Sequence, residues 1–155
     1  MTQITIRFCT DNSPISRLIR WRTQSNWSHV SLLIHSEFQW ANYQNWLTSL
    51  PFKGVCQYSN GFEFAREYRL DLSNHQLEQM RQFITKTLGC PYDWFGAIGL
   101  GIDRDWQHPD QWFCSEWVAA ALLAAGAIHT PNTHRVTPGQ LEKIVLSAIN
   151  VPSIH

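Results

Sequence analysis

Charge is scarce in this sequence of 155 residues, and neither sign is in excess. Lys and Arg number 12, Asp and Glu number 12, and together they make up 15% of the chain. Binding to nucleic acid or to an anionic membrane surface relies on an excess of positive charge, so the overall balance favours neither partner. No apolar run approaches the roughly 18 residues that a transmembrane helix needs, and the first residues lack the apolar core of a signal peptide. We therefore expect a protein that is cytoplasmic as synthesised, with no transmembrane segment and no nucleic-acid partner.

Cysteine is also sparse, and its spacing does not match the usual metal-binding motifs. The four cysteines are Cys9, Cys56, Cys90 and Cys114, with no C-x-x-C pair and no paired Cys/His cluster. A structural zinc site is therefore not expected, and nothing else in the sequence calls for a metal ion or an organic cofactor. In the absence of a signal peptide, we expect these thiols to stay reduced.

Apolar side chains, in contrast, are abundant. The hydrophobic class makes up 44% of the chain and includes eight Trp and eight Phe. A chain of this length and composition can bury a core of its own, which excludes disorder as its main state. We expect residues 1–155 to form a single domain.

Five segments alternate apolar and polar residues or are rich in β-branched and aromatic residues, which predicts strands. They are Ile4–Cys9, Ser28–Ile34, Glu37–Tyr43, Gly54–Tyr58 and Phe62–Leu72. We expect Glu37–Tyr43 to be the antiparallel neighbour of Ser28–Ile34. The residues Ser59-Asn60-Gly61 predict a turn between the last two strands.

Four segments carry helical spacing together with helix-starting or helix-ending signals. Their spans are Ile15–Arg22, a segment that begins at the capping pattern of Ser73 with Gln76 and ends at Gly89, Cys114 to Ala125, and Gly139–Ile149. In the first helix, Ile15, Leu18 and Ile19 share one face. Strands that come mostly before helices are typical of an α+β domain.

Cys114 stands at the predicted start of an alanine-rich helix, after a polar loop. A helix N-terminus carries partial positive charge and unpaired N–H groups, and both stabilise a thiolate. The same N–H groups can hold an oxyanion at the following step. Cys114 is therefore the candidate nucleophile, and a buried core thiol is the alternative that its position leaves open.

A cysteine nucleophile needs a base, which is usually a histidine. Six of the seven histidines lie in or beside polar segments that we expect to be exposed: His35, His75, His108, His129, His134 and His155. His29 differs because it opens an apolar strand after a polar approach, residues 24–28. This position favours a fixed general base, and a hydrogen-bonded structural histidine is the alternative.

Five motifs along the chain resemble those of one enzyme family. Leu88-Gly89-Cys90-Pro91-Tyr92-Asp93-Trp94 precedes a Gly-rich loop and then Phe113-Cys114-Ser115-Glu116, while residues 28–34, 16–21 and 135–138 supply the other three motifs. Together they resemble the NlpC-type papain-like cell-wall hydrolases. Because His29 precedes Cys114, the order is that of the circularly permuted branch, the YiiX-like proteins and their phage and bacterial relatives. The resemblance covers roughly residues 4–146.

The resemblance implies a papain-like, permuted NlpC-type α+β fold in which an antiparallel sheet packs against helices. Cys114 would head a helix and pass its proton to His29, giving a thiolate–imidazolium pair, and the thiolate would attack a carbonyl to form an acyl-enzyme that water releases. Tyr92 matches the family tyrosine beside the nucleophile. We assign substrate or oxyanion binding to Tyr92, to Ser115 and to Trp112, a residue of the expected cleft rim.

The third member of the site departs from the family pattern. The family places a polar residue on the strand after the histidine strand, and that position falls near Ala41, which cannot orient an imidazole. Strand alternation puts Gln39 on the face of Ala41, whereas a small bulge would bring Asn42 to it. Both residues stay open as catalytic candidates, as does a dyad with no third side chain. We interpret Glu116, in the first turn of its helix, and Asp93 as structural.

The activity that the resemblance implies first is amide hydrolysis by a cysteine peptidase or amidase, with a peptidoglycan stem peptide as the substrate. Without a signal peptide, access to the cell wall requires non-classical delivery by a phage or a secretion machine. An antibacterial effector delivered in this way would have an immunity or delivery protein as its partner.

Three alternatives stay open. The same dyad serves lipid or thioester acyl transfer, for which Trp94, Phe95, Ile98 and Leu100 offer an apolar entrance, and it also serves protein deamidation. A non-catalytic binding module that keeps the fold is the hypothesis from another class, and Ala41 supports it.

Overall fold

A computed structural model of the chain describes residues 1–35, 46–58, 64–93 and 110–150. The fold is α+β, with a five-stranded antiparallel sheet and four helices within those residues. The strands are β1 (Thr2–Thr10), β2 (His29–His35), β3 (Trp46–Leu50), β4 (Gly54–Tyr58) and β5 (Phe64–Leu72). The helices are α1 (Pro14–Thr23), α2 (Asn74–Thr87), α3 (Cys114–Ala124) and α4 (Pro138–Asn150). Among the described residues, no helix is long and apolar enough to cross a membrane.

The sheet has the strand order β4-β3-β2-β1-β5, so that β1 and β2 lie inside it. Alternate residues of β1 (Ile4, Ile6 and Phe8) are fully buried, as strand periodicity requires of the face that packs on a core. β2 pairs with β1 over its whole length, from Gln3 with His35 to Cys9 with His29. This register brings the end of β1 beside the start of β2.

Helix α3 lies against β2 and β3 on one side and against α2 and α4 on the other. It is therefore apolar nearly all round, as its alanine-rich and leucine-rich sequence predicts for a helix enclosed by its neighbours. Trp117, at its centre, is fully buried and donates its indole N–H to the Thr87 hydroxyl at 2.8 Å. The position of α3, and with it that of Cys114, is thus determined by the centre of the core.

The α+β class and the antiparallel sheet packed against helices are confirmed. The four predicted helices are present, and α2 begins at the expected capping box, in which Ser73 and Gln76 satisfy each other's backbone N–H groups at 3.0 and 3.3 Å. Four of the five predicted strands are present as well. The segment Glu37–Tyr43 and the turn at residues 59–61 lie outside the described residues.

One described strand was not predicted from the sequence. On the side of β2 away from β1 lies Trp46–Leu50, with Leu32 opposite Leu47. Trp46–Leu50 is short and carries two hydroxyl side chains, Thr48 and Ser49, which weakened its apolar pattern. Both hydroxyls are buried, and hydrogen bonds to main-chain carbonyl groups offset the cost of burial. Thr48 donates to the carbonyl of Val30 at 2.6 Å, and Ser49 donates to that of Trp112 at 2.7 Å.

Helix α1 does not bury the face that carries Ile15 and Leu18. Ile15 and Leu18 are exposed, while Ser16 is buried. The reason is polar: the Ser16 hydroxyl accepts a hydrogen bond from the buried Ser28 hydroxyl at 3.0 Å, and this contact turns the serine side of the helix inward.

Gly54, the first residue of β4, lies where that strand packs closely against the segment after α2, and a substitution there tests this packing. Its φ is 68°, and an added β-carbon would overlap the carbonyl oxygen of Cys90. Val55 exchanges two backbone hydrogen bonds with Cys90 and Gly89 there, at 2.8 and 2.9 Å. We expect Gly54→Ala to lower the free energy of unfolding by about 3 kcal/mol or more, as measured by urea titration.

Gly126 provides the matched control for this substitution. It also has a positive φ, 63°, but an added β-carbon would have nothing within 4 Å. Gly126→Ala should therefore cost only the backbone strain, about 1 kcal/mol. Equal losses in the two variants would contradict close packing of β4 against Cys90.

Candidate active site

Cys114 and His29, which lie far apart in the sequence, line the same cavity. The cavity has a volume of about 170 Å³ and lies where the start of α3 meets the start of β2. Besides these two residues it is lined by Asp11, Ser13, Ile15, Ser16, Ile19, Ser28, Leu50, Pro51 and Tyr92. The lining thus combines hydroxyl groups and a carboxylate with apolar side chains.

Cys114 is the first residue of α3 and is 1% exposed. Three main-chain N–H groups face its sulfur, those of Val30, Ser115 and Cys114 itself, and each favours the thiolate. Burial acts in the opposite direction and is stronger, so the pKa of Cys114 is raised to about 12. The N–H group of Val30 also shows how close the two candidates are, because Val30 directly follows His29.

His29 is the first residue of β2 and is buried. Its ring makes an edge contact with Tyr58, with 5.7 Å between the ring centroids. Burial lowers the pKa of His29 to about 3, while the Asp11 carboxylate acts to raise it. The other histidines within the described residues, His35, His75, His129 and His134, are exposed as expected; His108 and His155 lie outside that part.

The resting site therefore favours a thiol and a neutral imidazole over a thiolate–imidazolium pair. The pKa of each group is shifted away from its charged form, and the first cause in both cases is burial. Two charges in a dry site are stable only when their mutual attraction exceeds the cost of desolvation. In this structure, the proton of Cys114 stays on sulfur until something else stabilises the charge that forms.

Asp11 is the site residue that the sequence analysis missed as a functional group. It follows β1, whose register places Cys9 opposite His29, and it lines the same cavity. Burial alone would raise the pKa of Asp11, but hydrogen bonds from Ser13 and Ser16 and the charge of Arg20 outweigh it, so that the pKa is lowered. The sequence showed Asp11 as part of a helix start, and only the pairing of β1 with β2 brings this anionic carboxylate to His29.

Tyr92 and Ser115 lie at the cavity or next to it. Tyr92 is buried, lines the cavity and packs edge-on against Phe113, with ring centroids 5.9 Å apart. Burial, followed by the proximity of the Cys114 sulfur, raises its pKa well above the usual value. The Ser115 hydroxyl donates to the carbonyl of Val136, so it is the backbone N–H of Ser115 that faces the sulfur.

Trp112 packs elsewhere. Its ring makes an edge contact with Phe83 on α2, with centroids 5.6 Å apart, and its backbone is held by Pro91, Asp93 and Ser49. Within the described residues it does not line the cavity. Its observed role is to support the segment that carries Tyr92, with which it forms a parallel bridge.

The candidates for the third catalytic position, Gln39 and Asn42, lie outside the described residues, as do Ala41 and the apolar group Trp94, Phe95, Ile98 and Leu100. The described neighbour of β2 is β3, and extending the pairing of Leu32 with Leu47 places Leu50 opposite His29. Leu50 lines the cavity and cannot orient an imidazole. The described carboxylate on this cavity is that of Asp11.

Glu116 has the structural role that the sequence predicts. It is buried, and its carboxylate accepts from the backbone N–H groups of Phe113 at 3.4 Å and Arg135 at 2.7 Å. Arg135 has a positive φ of 64°, so the hydrogen bond holds that loop in a conformation that is unusual for a side-chain-bearing residue. Burial raises the pKa of Glu116, and the nearby carboxylate of Asp93 adds to the effect.

The buried neutral His29 predicts a loss of stability in acid. The unfolded chain binds a proton on this imidazole near the ordinary pKa of 6.5, whereas the folded protein does so only near 3, so acidification favours the unfolded state. We expect His29 to account for about 2.5 kcal/mol of the unfolding free energy lost between pH 7 and pH 4.5. Urea titrations at both pH values should show a correspondingly smaller loss in His29→Asn.

The exposed His75 provides the control for this measurement. His75→Asn should keep the full loss of stability between the two pH values, because its side chain is exposed on α2 and does not line the cavity. If His29→Asn loses as much as the unmodified protein does, then His29 is not held neutral by burial.

A scan against models of known protein families finds no family that matches the chain, and a search of curated proteins finds no match either. The candidate site is therefore defined by the residues of the chain itself. They bring a thiol at a helix N-terminus, an imidazole at the start of a strand and a carboxylate to one small cavity.

Proposed function

We propose that the protein is a cysteine hydrolase of the permuted papain-like type, with Cys114 as the nucleophile and His29 as its base. The observation that carries the proposal is the shared cavity: both side chains line it, although they belong to a helix and a strand from distant parts of the chain. Supporting it, three N–H groups converge on the sulfur at the start of α3. A buried thiol whose role is only to pack in the core does not require a base and anion-stabilising N–H groups in the same cavity.

The low pKa of His29 and the high pKa of Cys114 imply that proton transfer accompanies attack instead of preceding it. The sulfur forms a bond to the substrate carbonyl carbon while His29 takes the thiol proton. The negative charge then moves to the carbonyl oxygen, and helix N–H groups of α3 stabilise it. His29 returns the proton to the leaving nitrogen as the C–N bond breaks.

The acyl-enzyme is then hydrolysed by the reverse sequence. His29 removes a proton from water as the water oxygen attacks the thioester carbon, and the proton passes to the sulfur as the C–S bond breaks. One amide bond and one water molecule are consumed, and the thiol is restored. No electrons are exchanged with an external acceptor, so these residues suffice for the reaction.

Asp11 is the positioning residue in this proposal. When His29 becomes an imidazolium, its charge forms in a site where burial opposes it, and the Asp11 carboxylate is the charge that acts to raise the His29 pKa. Hydrogen bonds from Ser13 to Asp11 Oδ1, at 3.0 Å from the backbone and 2.6 Å from the hydroxyl, hold the carboxylate in place. The carboxylate thus stabilises the transient cation without accepting its proton.

An amide of a peptidoglycan stem peptide is the substrate that we propose first. The cavity of about 170 Å³ is smaller than the sites that enclose drug-sized ligands, so it accommodates one short acyl group or side chain beside the scissile bond. Its hydroxyl groups, from Ser13, Ser16 and Ser28, suit polar peptide groups.

A second candidate function is hydrolysis of an acyl ester or thioester of an amphiphile. The observation in its favour is the apolar part of the cavity lining, which consists of Ile15, Ile19, Leu50 and Pro51. Such a lining suits an alkyl chain more than a stem peptide. The chemistry at Cys114 and His29 is the same for both substrates, so a direct comparison of substrates decides between them.

Removal of the nucleophile tests the proposed hydrolysis. We expect Cys114→Ala to reduce the release of fragments from purified peptidoglycan by at least about a thousandfold, since the covalent step cannot occur. Mass analysis of the soluble fragments identifies the bond that is cut. Cys56→Ala, at a half-buried thiol of β4, is the matched control and should keep full activity.

The same variants separate the competing hypotheses. Short-chain and long-chain acyl thioesters are to be assayed in parallel with peptidoglycan. Cleavage of the thioesters alone, lost in Cys114→Ala, supports the amphiphile substrate. No Cys114-dependent cleavage of either substrate would overturn the proposed hydrolysis and leave protein deamidation and the non-catalytic module.

Asp11→Asn tests the positioning role. The amide keeps the size of the side chain but removes the charge, so the pKa of His29 in the free enzyme should fall further. We expect the acidic limb of the kcat/KM profile to move to lower pH while the plateau falls about three- to tenfold. A purely structural defect would lower the plateau without moving the limb.

Salt provides the second readout for Asp11. High salt screens the Asp11 carboxylate, which is more exposed than His29, and should reduce the activity of the unmodified protein more than that of Asp11→Asn. Asp71→Asn, at an exposed carboxylate of β5, is the control. An unchanged pH profile in Asp11→Asn would show that Asp11 does not act on His29.

A further inference from the structure

Helix α1 exposes large apolar side chains to solvent. Ile15, Leu18 and Trp21 are 48%, 52% and 71% exposed, and their spacing of three residues aligns them in one stripe along the helix. Serine, in contrast, occupies the buried side at Ser16. The apolar side of α1 therefore faces solvent, whereas an amphipathic helix usually packs its apolar side on the core.

The charge of α1 is unbalanced even though that of the whole chain is not. Its ten residues include Arg17, Arg20 and Arg22 and no acidic residue. Arg22 lies over the ring of Trp21, with its guanidinium carbon 5.3 Å from the ring centroid. Arg17 is exposed, while Arg20 is turned inward to the Thr10 hydroxyl. Positive charge thus lies beside the apolar stripe.

A second exposed apolar side chain directly follows residues of the cavity lining. Phe52, in the turn between β3 and β4, is 88% exposed and is followed by Lys53. It directly follows Pro51, which lines the cavity together with Ile15 of α1. Exposed apolar side chains with neighbouring basic residues therefore occur in both segments, α1 and the turn between β3 and β4, that contribute to the cavity lining.

From these features we infer that the exposed stripe of α1, together with the turn at Phe52, docks this protein on the surface of an anionic bilayer. Trp, Leu and Ile on one side of a helix with arginines beside them have the composition of helices that lie in the headgroup region of membranes. The basic residues complement the negative charge of anionic lipids. Four side chains are too small a patch for a stable protein interface, whereas shallow insertion of a few apolar groups suffices for reversible adsorption to a bilayer.

Docking on this surface would turn the cavity toward the lipid headgroups, because Ile15 belongs to both the stripe and the cavity lining. A substrate would then be an amphiphile whose reactive carbonyl lies near the membrane surface. This statement about the substrate rests on the proposed function and selects its second candidate, the amphiphile, but docking itself requires no catalysis and can be tested without it.

The experiment uses the full chain carrying Cys114→Ala, so that no turnover occurs, in flotation with vesicles. We expect binding to vesicles of 30% phosphatidylglycerol in phosphatidylcholine, and at least about tenfold weaker binding to pure phosphatidylcholine. Adding Leu18→Ser or Trp21→Ser should weaken binding to the anionic vesicles at least about fivefold each. Leu146→Ser, at an exposed leucine of α4, is the matched control and should bind as before.

Equal binding to both kinds of vesicle would overturn the inference, and so would unchanged binding in the two α1 variants. A third contrary result is a Trp21-dependent dimer in sedimentation velocity without vesicle binding, which would mean that a second copy of the chain covers the stripe. The same substitutions in the unmodified chain, assayed on a soluble short-chain thioester, separate docking from the proposed hydrolysis. Weaker vesicle binding with intact cleavage in these variants supports both proposals. Vesicle binding by the chain with an intact stripe but no Cys114-dependent cleavage would overturn the hydrolysis alone, and cleavage without vesicle binding would overturn the docking alone.

Discussion

The whole site depends on one buried contact, between the sulfur of Cys114 at the start of α3 and the backbone of Val30 at the start of β2. Trp117 and the apolar residues around it hold α3 against the sheet. The pairing of β1 with β2 then brings the ends of two strands to the same place. A small displacement of α3 along the sheet would separate the thiol from His29 and from the N–H groups that face it.

Burial gives this contact its chemical character. The helix N-terminus and the N–H of Val30 favour a thiolate, yet desolvation raises the pKa of Cys114 and lowers that of His29. A thiol and an imidazole are the stable resting forms as a result. In a site of this kind, catalysis depends on stabilising charge as it forms, and the N–H donors and Asp11 are the described groups that can do so.

Local signals predicted most of the helices and strands. The capping box at Ser73, the glycine after α2 and the alternation in β1 each depend on neighbouring residues only, so the sequence is sufficient to find them. Trp46–Leu50 was missed because its hydroxyl side chains are satisfied by the distant carbonyls of Val30 and Trp112. Its alternation therefore looked too polar for a strand in the middle of a sheet.

The site shows the same division between local and distant information. Cys114 and His29 could be selected because each has a local signature, a helix start and the opening of an apolar strand. Asp11 has only the signature of a helix start, and its relation to His29 follows from the register of β1 with β2, which no local pattern encodes. The resemblance to a family directed attention to the following strand instead, where β3 offers Leu50.

Helix α1 shows why composition over the whole chain was a poor guide to this surface. A net charge of zero argued against an anionic partner, but charge acts over about one Debye length, roughly 8 Å at physiological ionic strength, so the local distribution matters more than the sum. The hydroxyl contact of Ser16 with Ser28 turns the polar side of α1 inward and leaves the apolar side outward. Because Asp11 precedes the same helix and Ile15 lines the cavity, one short segment joins the carboxylate beside His29 to the exposed apolar stripe. Any ligand that shifts α1 would therefore also shift the charge that faces His29.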